Sequence, residues 1–114
     1  MNIEEIREYC LSKKKVTESF PFDETTLVFK VLDKMFVLLD LEDLQLGLKC
    51  DPEKVVELRS KYDFVIPGYH MNKLYWNTIV LDEDISSLLL KEWIDHSYDE
   101  VVKKLPVVKR SELG

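Results

Sequence analysis

Residues 44–50, Leu-Gln-Leu-Gly-Leu-Lys-Cys, alternate apolar and polar side chains with a period of two. Leu44, Leu46 and Leu48 then face one way, and Gln45, Gly47 and Lys49 the other. That pattern describes a strand with one dry face and one wet face. Such a strand needs neighbours, and the chain supplies them upstream. Residues 26–32 and 35–40 read as two further strands joined by Asp33-Lys34, a two-residue hairpin connection. Glu42-Asp43 makes a second tight turn. The result is a three-stranded meander with one greasy side, which must be covered by helices.

Helix signals flank the meander. Asn2 stands three residues before Glu5, the spacing of a capping box, and Ile3, Ile6 and Cys10 share a face of a helix over residues 2–12. Pro21-Phe22-Asp23 then interrupts the chain. Asp51-Pro52 starts a second helix with a cap and a first-turn proline, and Val55, Leu58 and Tyr62 point inward along it. Residues 63–66 form a short fourth strand and residues 76–81 a fifth, closed by Asp82-Glu83-Asp84. Residues 85–105 are helical in two pieces, because Ser97-Tyr98-Asp99-Glu100 has capping-box spacing; Pro106 stops the second piece. The order α-β(3)-α-β(2)-α predicts an α+β fold in two layers: an antiparallel five-stranded sheet with helices on one face.

At 114 residues with 46% hydrophobic side chains, the chain has material for one core and reads as a single domain. Cys10 and Cys50 make neither a disulfide framework nor a metal-ligand spacing, which points to a reduced compartment. The acidic start, Met-Asn-Ile-Glu-Glu, lacks the order of a signal peptide. No apolar run approaches the roughly 20 residues that span a bilayer. These features predict a cytoplasmic protein with no membrane association.

A net charge of −6 and a pI near 4.9 repel nucleic acids and anionic membranes globally. A nucleic-acid role therefore needs a local basic face. Lys13-Lys14-Lys15, the group Lys103, Lys104, Lys109 and Arg110, and the group Arg59, Lys61 and Lys73 are the candidates.

Residues 67–77, PGYHMNKLYWN, gather the densest set of hydrogen-bonding and stacking side chains, between a turn signal and an apolar strand. Loops held between rigid elements are common binding sites. His70 is a general base or metal ligand, or else a histidine that pins the loop; no nucleophile or carboxylate lies within the motif to complete a catalytic pair. Asn72, Lys73 and Asn77 clamp an anion or an amide, or cap turns beside a solvated lysine. Tyr69, Tyr75 and Trp76 stack on a planar ligand or pack on the sheet. Alternation puts Trp76, Thr78 and Val80 on one face and Asn77, Ile79 and Leu81 on the other, so one of Trp76 and Asn77 should approach solvent. Lys30 and Lys49 would give the open sheet face a positive centre, or are simply solvated there. Ser97-Tyr98 reads as a helix cap beside a core tyrosine.

With these residues the chain resembles the MmcQ/YjbR family. PGYHMNK followed by Trp-Asn-Thr is similar to the family's signature. The likeness extends to Pro21-Phe22, Val28-Phe29-Lys30-Val31, Leu48-Lys49-Cys50-Asp51, Ser97-Tyr98 with Val102, and Leu105-Pro106. It implies a small bacterial domain related in fold to secretion chaperones and frataxin-like proteins, and a DNA-binding role. The expected function is that of a non-enzymatic binding domain without cofactor or metal. DNA is the partner implied by the resemblance. The alternatives are a protein-interaction or chaperone-like module using the sheet face or a homodimer, with which the acidic pI is compatible, and a small-ligand pocket under the 67–77 loop.

Overall fold

The computed structural model describes residues 1–68, 71–81 and 84–114. Tyr69 and His70, both candidate site residues, lie outside the described residues. Helix α1 (Ile3–Leu11) begins with the expected capping box: Glu5 N donates to Asn2 Oδ1 and Asn2 N to Glu5 Oε1. Strands β1 (Val16–Ser19), β2 (Thr26–Val31), β3 (Lys34–Asp40) and β4 (Gln45–Lys49) follow. Then come α2 (Pro52–Lys61), β5 (Val65–Pro67), β6 (Trp76–Val80), α3 (Ser87–Val102), the short α4 (Val107–Arg110) and a last 3-10 turn, Ser111–Leu113.

The architecture is α+β with one antiparallel sheet, but six strands replace the expected five, in the order β1-β2-β3-β4-β6-β5. The additional strand is β1. Val16 pairs with Val31 and Ser19 with Val28, and Arg7 of α1 binds Glu18 through two hydrogen bonds of 2.8 and 2.5 Å. A four-residue edge strand after three lysines carries too little alternation to stand out in the sequence.

One core lies between the sheet and the helices. Ile6 and Cys10 of α1, Val55 and Leu58 of α2, and Leu90, Trp93, Ile94 and Val101 of α3 pack on Phe29, Val37, Leu39, Leu46, Leu48 and Ile79. The alternation in β4 is as expected from Gln45 onward. Leu44, however, precedes the strand at φ 51° and is exposed.

Two further expectations are corrected. First, α3 runs unbroken through Ser97, which is no cap. Its buried hydroxyl donates to Phe36 O (2.5 Å) and accepts from Lys49 N (2.9 Å). Pro106 instead precedes α4, after α3 has ended at Val102. Second, β3 carries a bulge. Phe29 pairs with Val37 but Lys30 with Met35, so Phe36 is the extra residue. Phe36 and Val37 consequently both face the core, and Met35 is turned to the uncovered side of the sheet.

Candidate functional site

The 71–75 loop is tied to α2 by one side chain. Arg59 donates from Nε to Asn77 Oδ1 (2.7 Å) and from Nη2 to Lys73 O (2.6 Å) and Trp76 O (3.0 Å). Asn77 Nδ2 donates in turn to Val55 O (3.3 Å). Asn72 Oδ1 accepts from Leu74 N (2.8 Å), and Asn72 O from Tyr75 N (3.1 Å), which closes the turn that leads into β6.

This arrangement corrects the expectation that either Trp76 or Asn77 approaches solvent. Trp76 is 6% exposed and Asn77 2%. They do lie on opposite faces, since Trp76 pairs with Lys49 and Asn77 with Leu48. Asn77 is buried beneath α2 with its amide satisfied. Trp76 is buried on the other side because the loop folds back over it. Gly68 makes that approach possible: a Cβ there would stand 3.1 Å from Trp76 Cβ and 3.2 Å from Trp76 O.

The folded-back loop borders a groove in two lobes, one on the uncovered sheet face and one where that face meets the end of α3, and Met71 and Trp76 line both. One lobe, about 400 Å³, is lined by Lys34, Met35, Lys49, Lys104, Val101 and Leu105 in addition. Among the described residues, no carboxylate pairs with Lys34, Lys49 or Lys104. Nearby Glu100 is ion-paired with Lys103, and Lys104 Nζ lies 4.6 Å from the centre of the Tyr75 ring. Partial burial holds the Lys49 ammonium below its usual range, and the charges of Lys104 and Lys34 push the same way, while Glu100 pulls the other way. Three like charges thus converge on an apolar floor inside an acidic chain, an arrangement that an anion would relieve.

The second lobe, about 130 Å³, is lined by Thr26, Leu38, Asp40, Asp43, Gln45, Gly47, Gly68 and Thr78 beside the shared pair. Register places the two lobes at opposite strand ends. Asp40 pairs with Gln45, and Lys49 with Trp76. Four residue steps along β4 separate Gln45 from Lys49, roughly 13 Å at strand rise.

Of the residues singled out in the sequence, Lys49 and Trp76 line this groove. Lys30 lies beside it on the same face, paired with Met35. Asn72, Lys73 and Asn77 line neither lobe. Sequence reasoning missed Lys34, Met35, Met71 and the acidic lobe. Lys104 was visible only as one member of a C-terminal basic group. The bulge that turns Met35 outward has no local signature.

Both cysteines are withdrawn from the surface. Burial pushes the Cys10 thiol up to about 12 and that of Cys50 to about 11, so both stay protonated. His96 Nε2 accepts from Asp51 N (3.1 Å), which ties α3 to the start of α2.

Comparison with known proteins agrees with the fold. The family described as YjbR matches residues 11–100. The uncharacterised protein YjbR of Escherichia coli K12 is 32% identical over 115 residues, which cover 99% of this chain and 98% of the relative. The uncharacterised protein YbdF of Escherichia coli O157:H7 is 38% identical over 88 residues, covering 75% and 72%. The crystal structure of Deinococcus radiodurans DR2400, domain DUF419, superposes with a TM-score of 0.90 at 41% identity, covering 99% of this chain and 88% of that one. A Pseudomonas syringae crystal structure, structural-genomics target PsR293, gives 0.74 at 26% identity, covering 88% and 98%.

Proposed function

This chain belongs to the YjbR family, and we propose that it is a non-enzymatic binding domain that holds the phosphates of a single nucleic-acid strand in the groove on its uncovered sheet face. The observation that carries this reading is the convergence of Lys34, Lys49 and Lys104 on one apolar lobe without a carboxylate partner among the described residues. Lysine ammonium groups bind phosphate as point charges. Met35 and Met71 supply a soft surface that accommodates planar groups. The lobe meets only the C-terminal end of α3, with no helix laid along it among the described residues, which favours a flexible strand over a duplex groove. The protonated thiols and the backbone-bound His96 support a role without covalent chemistry.

Fluorescence anisotropy of labelled single-stranded and duplex DNA, at low and physiological salt, tests this. Three phosphate contacts on a single strand should give a slope of log K against log salt of about −2. Lys49→Ala and Lys104→Ala should each weaken binding and flatten the slope. Absence of binding at low salt, or binding untouched by both substitutions, overturns the reading.

A further inference from the structure

The second lobe is the wrong place for a phosphate. Asp40 and Asp43 line it, and their charge would repel a backbone whose phosphates sit only roughly 13 Å away at Lys49. Yet the lobe adjoins the basic one, since Met71 and Trp76 line both. Its volume of about 130 Å³ exceeds several times the roughly 30 Å³ share of one liquid water. Gly47 leaves its floor bare of side chain, and the buried indole of Trp76 forms a wall.

The lobe also contains polar groups that await partners. Thr78 is only 9% exposed and lines the lobe; its hydroxyl makes no hydrogen bond within the described chain and is open to the solvent in the lobe. Asp40 is held rigid because its Oδ1 accepts from Glu42 N and Asp43 N, both at 3.0 Å. Those bonds leave Oδ2 uncommitted. The Asp43 carboxylate and the Gln45 amide complete a rim dominated by acceptors.

We propose that this lobe receives one unpaired base of the strand whose phosphates occupy the lysine lobe, and that the base it selects is guanine. The inference rests on the strand-binding reading above. The argument is one of hydrogen-bond complementarity. Asp40 Oδ2 and the Asp43 carboxylate together offer acceptors for two adjacent N–H donors, and guanine alone among the common bases presents such a pair, N1–H with the N2 amine, on its Watson–Crick edge. Thymine offers a single N–H between two carbonyl groups, which an acidic rim repels. The amide of Gln45 supplies a donor for O6, and the hydroxyl of Thr78 can donate or accept. A paired base cannot present this edge, so the lobe also selects single strands over duplex.

The test uses the full chain and three labelled oligonucleotides: all-thymidine, the same strand with one central guanosine, and the same with inosine there, which lacks the N2 amine. The guanosine strand should bind about tenfold more tightly than the all-thymidine strand, as one bidentate base contact allows, and inosine should fall between them. Asp40→Asn keeps the Oδ1 acceptor that the turn uses. This substitution, and separately Thr78→Val, should bring the guanosine strand towards the thymidine level with the salt slope unchanged. Equal binding of all three strands overturns base selection and leaves the strand-binding reading standing. No binding of any strand at low salt removes both.

Discussion

Arg59 Nε lies 2.7 Å from Asn77 Oδ1, which joins the last turn of α2 to the buried face of β6. The same guanidinium holds Lys73 O and Trp76 O, so one side chain fixes both the loop and the strand that it enters. Arg59→Ala would remove the donor to the inward-facing Asn77 amide oxygen and to Lys73 O, while Trp76 O keeps Gly68 N. Urea unfolding should show a loss of about 2–3 kcal/mol. A double-mutant cycle with Asn77→Ala should give a coupling above about 1 kcal/mol. Additive effects would mean that the two side chains act separately.

Ser97 makes a second tie of this kind. Its hydroxyl stands between Phe36 O and Lys49 N, beyond Val37–Leu48, the last pair of the β3–β4 ladder. The ladder ends there, beside the bulged Phe36, and a helix side chain satisfies the groups that the two strands do not offer each other. Ser97→Ala should cost about 1–3 kcal/mol and speed hydrogen exchange at the Lys49 amide. Unchanged exchange at that amide would show that the bridge does not hold β4.

Loop packing on Trp76 depends on the absence of a side chain at residue 68. In Gly68→Ala the new Cβ meets Trp76 Cβ and the Trp76 carbonyl, and the carbonyl belongs to a paired strand and cannot swing away. A loss of about 1–3 kcal/mol is expected from such overpacking. Trp76→Ala should cost more, about 3–5 kcal/mol, because the indole is buried. Thermal or urea melts in which Gly68→Ala is neutral would show that the loop does not bear on the ring.

How much of this was legible in the sequence follows from the range of each signal. The capping box at Asn2–Glu5, the Asp51-Pro52 helix start and the alternation of residues 45–49 are local, and each formed as expected. The capping-box spacing at Ser97–Glu100 is as local but stands inside a helix already held by its buried face. There the serine hydroxyl found strand backbone instead of its own helix. The burial of both Trp76 and Asn77 contradicts simple alternation, because each face of β6 acquires a cover: α2 on one side, the returning loop on the other. The groove itself joins Lys34, Lys49, Met71 and Lys104, whose separations in sequence no motif spans.

His96 makes stability depend on pH. Its Nε2 accepts from Asp51 N, which requires the neutral ring. Burial, reinforced by Lys54, holds its folded pKa below the ordinary 6.5, while Glu100 and Asp51 pull the other way and Lys103 adds to the lowering. A folded pKa below the unfolded one means that the unfolded chain binds the proton first. The contribution of neutral His96 is therefore fully present above about pH 6.5 and is lost as the pH falls through the folded value. His96→Gln keeps a side chain of similar reach but cannot titrate. Its unfolding free energy should fall less steeply than that of the unsubstituted chain as the pH drops below about 6.5. The difference between the two curves isolates His96 from His70 and the carboxylates, which both proteins share. Parallel curves over that window would show that the ring does not act as the acceptor for Asp51 N.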